Sequence, residues 1–502
     1  MRRSIILRAA LFAGFAIVTA HLHAQRSAVP LAAPTPPMGW NSWDAYGLTV
    51  TEDQFRANVN LLATKLKPYG WNYAVIDEGW FFFNPQDRPH PDLLHYSIDP
   101  WGRYVPVPER FPSSTSLPGN QIAPTAPAFA TPPRLAATVA ETSFKPLADW
   151  VHAQGLKFGI HIVRGIPRAS VERNLPIAGS SFHAADAADT SDACPWDPTN
   201  WGVKDNAAGQ AWYDSLLEQY ATWGVDLLKV DCISDHPYKA DEIRMIRRAI
   251  DKATARTGRP IVLSLSPGPT ALEHADEVAA EAQMWRISDD VWDLWSNPKP
   301  WPIAVSSQFA RLAAWAPHVK PGHWPDADML PLGELRPSPG TGAPRSTRLT
   351  PAEQRTQLTL WSIARSPLIL GANLTLLDDA TLHLLTAPNV LRIDQTAIRS
   401  RQVFQSGGVI AWIADLPASQ PPGLPPALQP PLHSSVAEAS RALALFNTGD
   451  QQVTITAGFA AYGLDAASYR VTDAWTGKFL GRMNSVAGVT IEPHASVLWL
   501  LN

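Results

Sequence analysis

The stretch Gly224–Ser234, "GVDLLKVDCIS", decides how the rest of the chain is read. Leu227, Leu228 and Val230 have the composition of a buried strand, yet Lys229 sits inside it and Asp231 ends it. Buried charges are rare unless they are paired or employed. Residues two apart on a strand share a face, so Lys229 and Asp231 point the same way. A strand that ends on a lysine and a carboxylate fits an architecture in which the strand ends carry the chemistry.

Outward from this strand the pattern repeats. Short apolar runs occur at 38–43 (MGWNSW), 73–77 (YAVID), 157–162 (KFGIHI), 261–265 (IVLSL), 284–288 (MWRIS), 323–329 (HWPDADM) and 367–373 (PLILGAN), making eight with 227–231. Helical patterns lie between them. Thr51 and Gln54 form a capping box ahead of Phe55, Val59, Leu62 and Leu66, and Trp212, Leu216, Tyr220 and Trp223 recur at helical spacing. Ile243, Ile246 and Ile250 are stopped by Gly258 and Pro260, and Thr350, Pro351 and Glu353 open a further helix. Eight strands alternating with helices predict a (β/α)8 TIM barrel over 25–395, with a doubly wound open sheet as the competing topology. From about Arg392 short turn-bounded strands predict a C-terminal antiparallel β-sandwich over 396–502, with a proline-rich loop at 416–435 expected to be exposed. A proline-rich loop from about Phe81 to Thr142 and a flexible insert at 339–348 complete the organisation.

Bulk properties narrow the function. The chain has 502 residues, 45% hydrophobic, with a net charge of -4, which argues against a nucleic-acid partner. Residues 1–24 carry Arg2, Arg3 and Arg8, an apolar run and a small residue at Ala24, the grammar of a signal peptide. No later stretch is apolar enough to span a bilayer, so export to the periplasm or beyond is expected. Cys194 and Cys232 fit an oxidising compartment, either bridged or as two buried thiols. A bridge closing roughly 37 residues would contribute about 3–4 kcal/mol.

The C-terminal strand ends, read in order, offer Trp43 and Asp44, Asp77 and Glu78, His161, Lys229 and Asp231, Ser266, Arg286 with Asp289 and Asp290, and Asp326 with Asp328. Acidic groups at five of these ends suit few chemistries. A HExxH pair or tight ligand spacing is missing, so no metal or other cofactor is expected; P-loop, GxGxxG and GxSxG patterns are missing too. Glycoside hydrolysis, which needs two carboxylates across a pocket with aromatic walls, fits best.

The motifs "PPMGWNSWDAYG", "VIDEGW", "GRYVPVPERFP", "PLADWVHAQGLKFGIHI", "WGVDLLKVD", "WRISDD" and "GHWPDADMLPLG" resemble those of glycoside hydrolase family 27, the α-galactosidases and α-N-acetylgalactosaminidases. The segment "HIVRGIPRASV" resembles a bacterial branch of it. The resemblance covers roughly residues 35–400 in order. It implies a retaining double displacement with Asp231 as nucleophile, kept ionised by Lys229, and Asp290 as acid/base. Asp289 is the alternative acid, or a cap for a following helix. It further implies that Asp77 and Glu78 hold the 4- and 6-hydroxyls of galactose, that Trp43 and Trp80 wall the pocket, and that Lys229, Arg286 and Ser266 meet the other hydroxyls. Asp326 and Asp328 are expected behind them.

Three positions depart from the family pattern. Glu78 stands where most members carry aspartate, and its extra methylene points into the space for the sugar's CH₂OH group. Ser266 replaces a frequent glutamate and leaves room at C2. Cys232 follows the nucleophile directly, one residue early for the family's disulfide. The leading expectation is an exo-α-galactosidase acting on oligo- or polysaccharides. β-L-Arabinopyranosidase activity is the alternative, followed by α-N-acetylgalactosaminidase and, last, a non-catalytic carbohydrate-binding barrel.

Overall fold

The computed structural model describes residues 31–502 except 88–89, 91–92, 116–136, 139–141, 236, 337–342, 420–422, 431–433 and 435. The expected leader lies outside the described residues. All eight anticipated barrel strands form: β1 (Met38–Asn41), β2 (Tyr73–Ile76), β3 (Lys157–Val163), β4 (Leu227–Asp231), β5 (Val262–Leu265), β6 (Met284–Arg286), β7 (Trp324–Asp326) and β8 (Leu368–Leu370). They pair in parallel in the order β7-β6-β5-β4-β3-β2-β1-β8. The ring closes just beyond β7, where Leu330 N donates to Ile369 O (2.8 Å) and Gly371 N to Leu330 O (3.3 Å).

Strand alternation sorts each side chain to one of two cores. Tyr73, Val75, Leu227, Val262, Met284 and Trp324 pack together inside the barrel. Leu228, Val230 and Leu263 join the main core under the helices. In β4, then, Leu227 belongs to the inner layer, and Lys229 and Asp231 follow on the same face toward the mouth.

The covering helices include α1 (Glu52–Leu61), α2 (Lys145–Ala153), α3 (Ala207–Trp223), α4 (Ala240–Thr257), α5 (Ala275–Glu281), α6 (Gln308–Trp315), α7 (Pro351–Ala364) and α8 (Pro388–Thr396). Both expected capping boxes are present, Thr51 with Gln54 on α1 and Thr350 with Glu353 on α7. Gly224 (φ 89°) and Gly258 (φ 71°) end α3 and α4 in the left-handed conformation that glycine adopts without steric cost.

The C-terminal region forms β9 (Ile398–Ser406), β10 (Val409–Asp415), β11 (Arg441–Asn447), β12 (Tyr469–Asp473), β13 (Phe479–Met483) and β14 (Ser496–Leu501), an antiparallel sheet ordered β9-β10-β11-β14-β12-β13. Ile410, Trp412 and Phe446 face the barrel's core, while Val409, Ile413 and Leu443 face a second core with Phe459 and Tyr462. Burial on both faces explains why "VIAWIA" and "ALALF" are apolar throughout.

Three loops carry buried anchors. Much of the 81–142 loop is ordered core: Phe81, Tyr96, Ile98, Tyr104, Val107 and Phe111 are buried, and Arg110 donates to the carbonyls of Leu48, Val50, Gly79 and Phe82. Within 339–348, Arg345 and Arg348 clamp the fully buried Asp293, so that part of the insert is tied down. In the proline-rich loop, Leu424 and Leu428 are buried and Arg392 of α8 donates to the carbonyl of Val436 just beyond it, while Ala418, Ser419, Gly423, Pro426 and Gln429 are exposed.

Candidate active site

The two ends of β1 and β2 build the first half of the site. Asp77 Oδ2 accepts from Asn41 Nδ2 (2.6 Å) and from Lys229 Nζ (2.9 Å), while its Oδ1 accepts from the backbone N of Glu78 (2.9 Å). Its own N–H donates to Ser42 Oγ (3.0 Å). Burial pushes the Asp77 pKa up, but the Lys229 ammonium more than offsets it, leaving the carboxyl well below its usual range. Lys229 is raised in turn: burial lowers it, and Asp77, then Asp231, hold the proton on. Glu78 is 7% exposed, so its side chain stays within the wall of the site.

The expected Lys229–Asp231 partnership is indirect. The ammonium is hydrogen-bonded to Asp77, and His161 Nε2 lies 3.4 Å from Asp231 Oδ2. The other carboxylate oxygen accepts from Cys232 N (3.0 Å). Burial raises the Asp231 pKa; the His161 hydrogen bond and, behind it, the Lys229 charge bring it below the usual carboxylate value. Cys232 has φ 63° and is bridged to Cys194 (Cα–Cα 5.9 Å), so the disulfide anchors the residue whose N–H holds Asp231.

Across the barrel, Arg286 divides one guanidinium nitrogen between two carboxylates, Asp328 Oδ2 at 2.7 Å and Asp290 Oδ1 at 3.3 Å. The Asp290 side chain is 45% exposed, against 3% for Asp328. Burial raises Asp328 to about 7 against the pull of Arg286. Its oxygens also accept from Val291 N (2.6 Å) and Met329 N (2.7 Å), and Asp326 Oδ1 accepts from Asp328 N (2.9 Å). Asp328 therefore pairs directly with Arg286, Asp326 supports Asp328, and burial raises Asp326 as well. Asn41, Lys229, Ser266, Arg286, Asp326 and Asp328 line one cavity inside the barrel.

Two expected residues take other places. Trp80 is fully buried, edge-on to Phe81, Phe144 and Trp223, and its indole N–H donates to His161 O (2.8 Å); it is core, not a pocket wall. Asp289 caps no helix, because the chain beyond it runs as a loop in which Ile303 N donates to Asp290 O (2.9 Å). Trp43 is half-buried at the mouth, its backbone N–H donating to Asn41 Oδ1 (2.8 Å).

Sequence reading passed over Asn41 as a site residue and assigned no role to Asp44 or His161. Asn41 ends β1 as a polar residue on an otherwise apolar strand, a signal of the same kind as Lys229. Asp44 is buried, and its pKa is raised well above normal by burial and by Asp328. It packs over the end of β8 so closely that a Cβ on Gly371 would lie 1.9 Å from its Oδ2. Among the described residues no group of three or more His, Cys, Asp or Glu could hold a metal ion, and no helix is long and apolar enough to cross a membrane.

Comparison with known proteins places this site in a family. The family model for alpha galactosidase A matches residues 205–396, and the model for the alpha galactosidase C-terminal beta sandwich domain matches 434–501. An α-galactosidase of Oryza sativa is 24% identical over 93% of this chain and 84% of its own, and alpha-galactosidase A of Cellvibrio japonicus is 27% identical over 83% and 81%. The crystal structure of a family 27 β-L-arabinopyranosidase from Geobacillus stearothermophilus is 38% identical, superimposes with a TM-score of 0.78, and covers 94% of this chain and 97% of that one. The chain belongs to glycoside hydrolase family 27, and it is a glycoside hydrolase.

Proposed function

We propose that this enzyme is an exported, retaining exo-glycosidase whose preferred substrate is a terminal β-L-arabinopyranoside, with α-D-galactosides second. The observation that carries the preference is Glu78. Its backbone is tied to Asp77, and its side chain is buried, so the extra methylene cannot turn out to solvent. It takes up the volume that a galactose CH₂OH would need, and arabinopyranose lacks that group. The likeness to a β-L-arabinopyranosidase at 38% identity supports this order. The galactosidase reading, which led on sequence alone, keeps the support of α-galactosidases at 24–27% identity. The disulfide supports export to an oxidising compartment.

In this reading Asp231 attacks the anomeric carbon as the C1–O bond to the leaving group breaks, and Asp290 gives its proton to the departing oxygen. Asp290 then takes a proton from water, whose oxygen attacks C1 and frees Asp231. Lys229, Arg286 and Ser266 meet the sugar hydroxyls around the ring.

The test is kcat/KM for 4-nitrophenyl β-L-arabinopyranoside against the α-D-galactopyranoside, in the native enzyme and in Glu78→Asp. The arabinoside is expected to lead in the native enzyme. Glu78→Asp is expected to shift the ratio toward galactoside by roughly 10- to 200-fold, the span of one methylene in a pocket. A native preference for galactoside that Glu78→Asp leaves unchanged would refute the assignment.

A further inference from the structure

The geometry points to His161 as the residue that positions the nucleophile, donating from Nε2 to Asp231 Oδ2. This rests on the reading of Asp231 as nucleophile. The register of the barrel builds the contact. His161 lies opposite Lys229 in the β3–β4 pairing, and Val163 opposite Asp231, so His161 and Asp231 face the same lumen one step apart along it. The imidazole is 1% exposed, and its Nε2 is 3.4 Å from the carboxylate. From behind, the Trp80 indole N–H holds the His161 carbonyl (2.8 Å) and fixes the strand at that point.

Among the described residues, the other charges around the ring are engaged with partners of their own. Asp77 faces it from β2 and Lys229 from β4, but these two are hydrogen-bonded to each other at 2.9 Å. Arg286 is engaged with Asp328 and Asp290. Cys232 N donates to Oδ1 and His161 Nε2 lies 3.4 Å from Oδ2, so the two oxygens face different groups and the carboxylate plane is set. The buried Nδ1 has no hydrogen-bond partner among the described residues, so Nε2 is the ring nitrogen that faces the carboxylate. A donor there favours the ionised form of the nucleophile.

Two variants separate positioning from packing. His161→Gln places an amide N–H near the Nε2 position; His161→Leu fills the space without a donor. Steady-state kinetics and pH profiles of kcat/KM on the better 4-nitrophenyl glycoside are measured for both, alongside their thermal midpoints. Labelling with a 2-deoxy-2-fluoro glycoside, followed by peptide mapping, establishes separately whether Asp231 carries the covalent sugar. With Asp231 labelled, His161→Leu is expected to lose about 10- to 100-fold in kcat, the worth of a hydrogen bond to a charged group, with KM little changed. The acid limb of its profile is expected to move to higher pH. His161→Gln is expected to keep the native limb and most of kcat. If Leu fails to fold, His161→Asn, whose amide is too short to reach Asp231, takes its place. Equal losses in the Gln and donor-free variants with an unmoved acid limb, or no loss in either, would overturn the assignment. A label on another residue would instead sink the nucleophile reading itself.

Discussion

Asp77 shows at the residue scale how one buried charge is made tolerable. It has Asn41, Lys229 and the Glu78 N–H as donors, and no exposed surface through which water could replace them. Removing one member of a buried ion pair leaves the other uncompensated, which costs about 3–5 kcal/mol. Asp77→Asn is expected to destabilise by that order at pH 7, read from denaturant unfolding. The sign with pH follows from the depressed carboxyl. Its folded pKa lies below the unfolded value of about 3.9, so its stabilisation is fully present above that value and is lost as pH falls. The gap between native and Asp77→Asn proteins should therefore narrow on acidification below about pH 4. Asp290 presents the opposite case, a carboxylate 45% exposed beside Arg286 and open to solvent. Under the proposed acid/base role, its replacement by alanine should slow substrates with poor leaving groups far more than aryl glycosides. Equal losses on both would direct attention to Asp289.

At the scale of elements, short strands succeed here because their ends interlock. The end of β8 must pass beneath Asp44, and Gly371 provides the clearance. Gly371→Ala would drive a methyl group into the Asp44 carboxylate, and overpacking of this kind costs about 1–3 kcal/mol. A lowered thermal midpoint with reduced kcat is expected, since Asp44 neighbours Asp328, Lys229 and Asp290 electrostatically. A variant as stable and active as the native enzyme would show that the β8 end can shift. Element identity was legible beforehand because it is local. The capping boxes at Thr51 and Thr350, the glycine stops at Gly224 and Gly258, and the apolar runs all act within a few residues of themselves. The burial of Leu424 and Leu428 was not legible, because proline-rich composition reports chain stiffness and says nothing about which surface lies alongside.

Over the whole molecule, residues 32–502 form one compact unit, and the C-terminal sheet is part of how the barrel is held. Phe446 of β11 meets Phe309 of α6 edge-on at 5.0 Å, and Trp475 Nε1 donates to Thr359 Oγ1 of α7 (3.2 Å). His494 stacks on Trp295, which lies on the loop that follows Asp290, with ring centroids 4.5 Å apart. Calorimetry is expected to show a single unfolding transition. Phe446→Ala should lower it by the equivalent of about 3–5 kcal/mol without splitting it. Two resolved transitions would mean that barrel and sheet are independently stable.

The sequence by itself determined the alternation of strands and helices, the change to β structure after the barrel, and the set of polar residues standing at strand ends. Each of these is written in periods of two and 3.6 residues and in caps a few residues long. Only the tertiary structure decided who partners whom. Lys229 pairs with Asp77, 152 residues away, so Asp231 is served by His161 and Cys232. Trp80, which reads in sequence like a pocket wall, turns into the core between Phe144 and Trp223. A charge or a ring announces in sequence that it needs a partner, but the partner is chosen by distance, and distance across a barrel is set by register and closure.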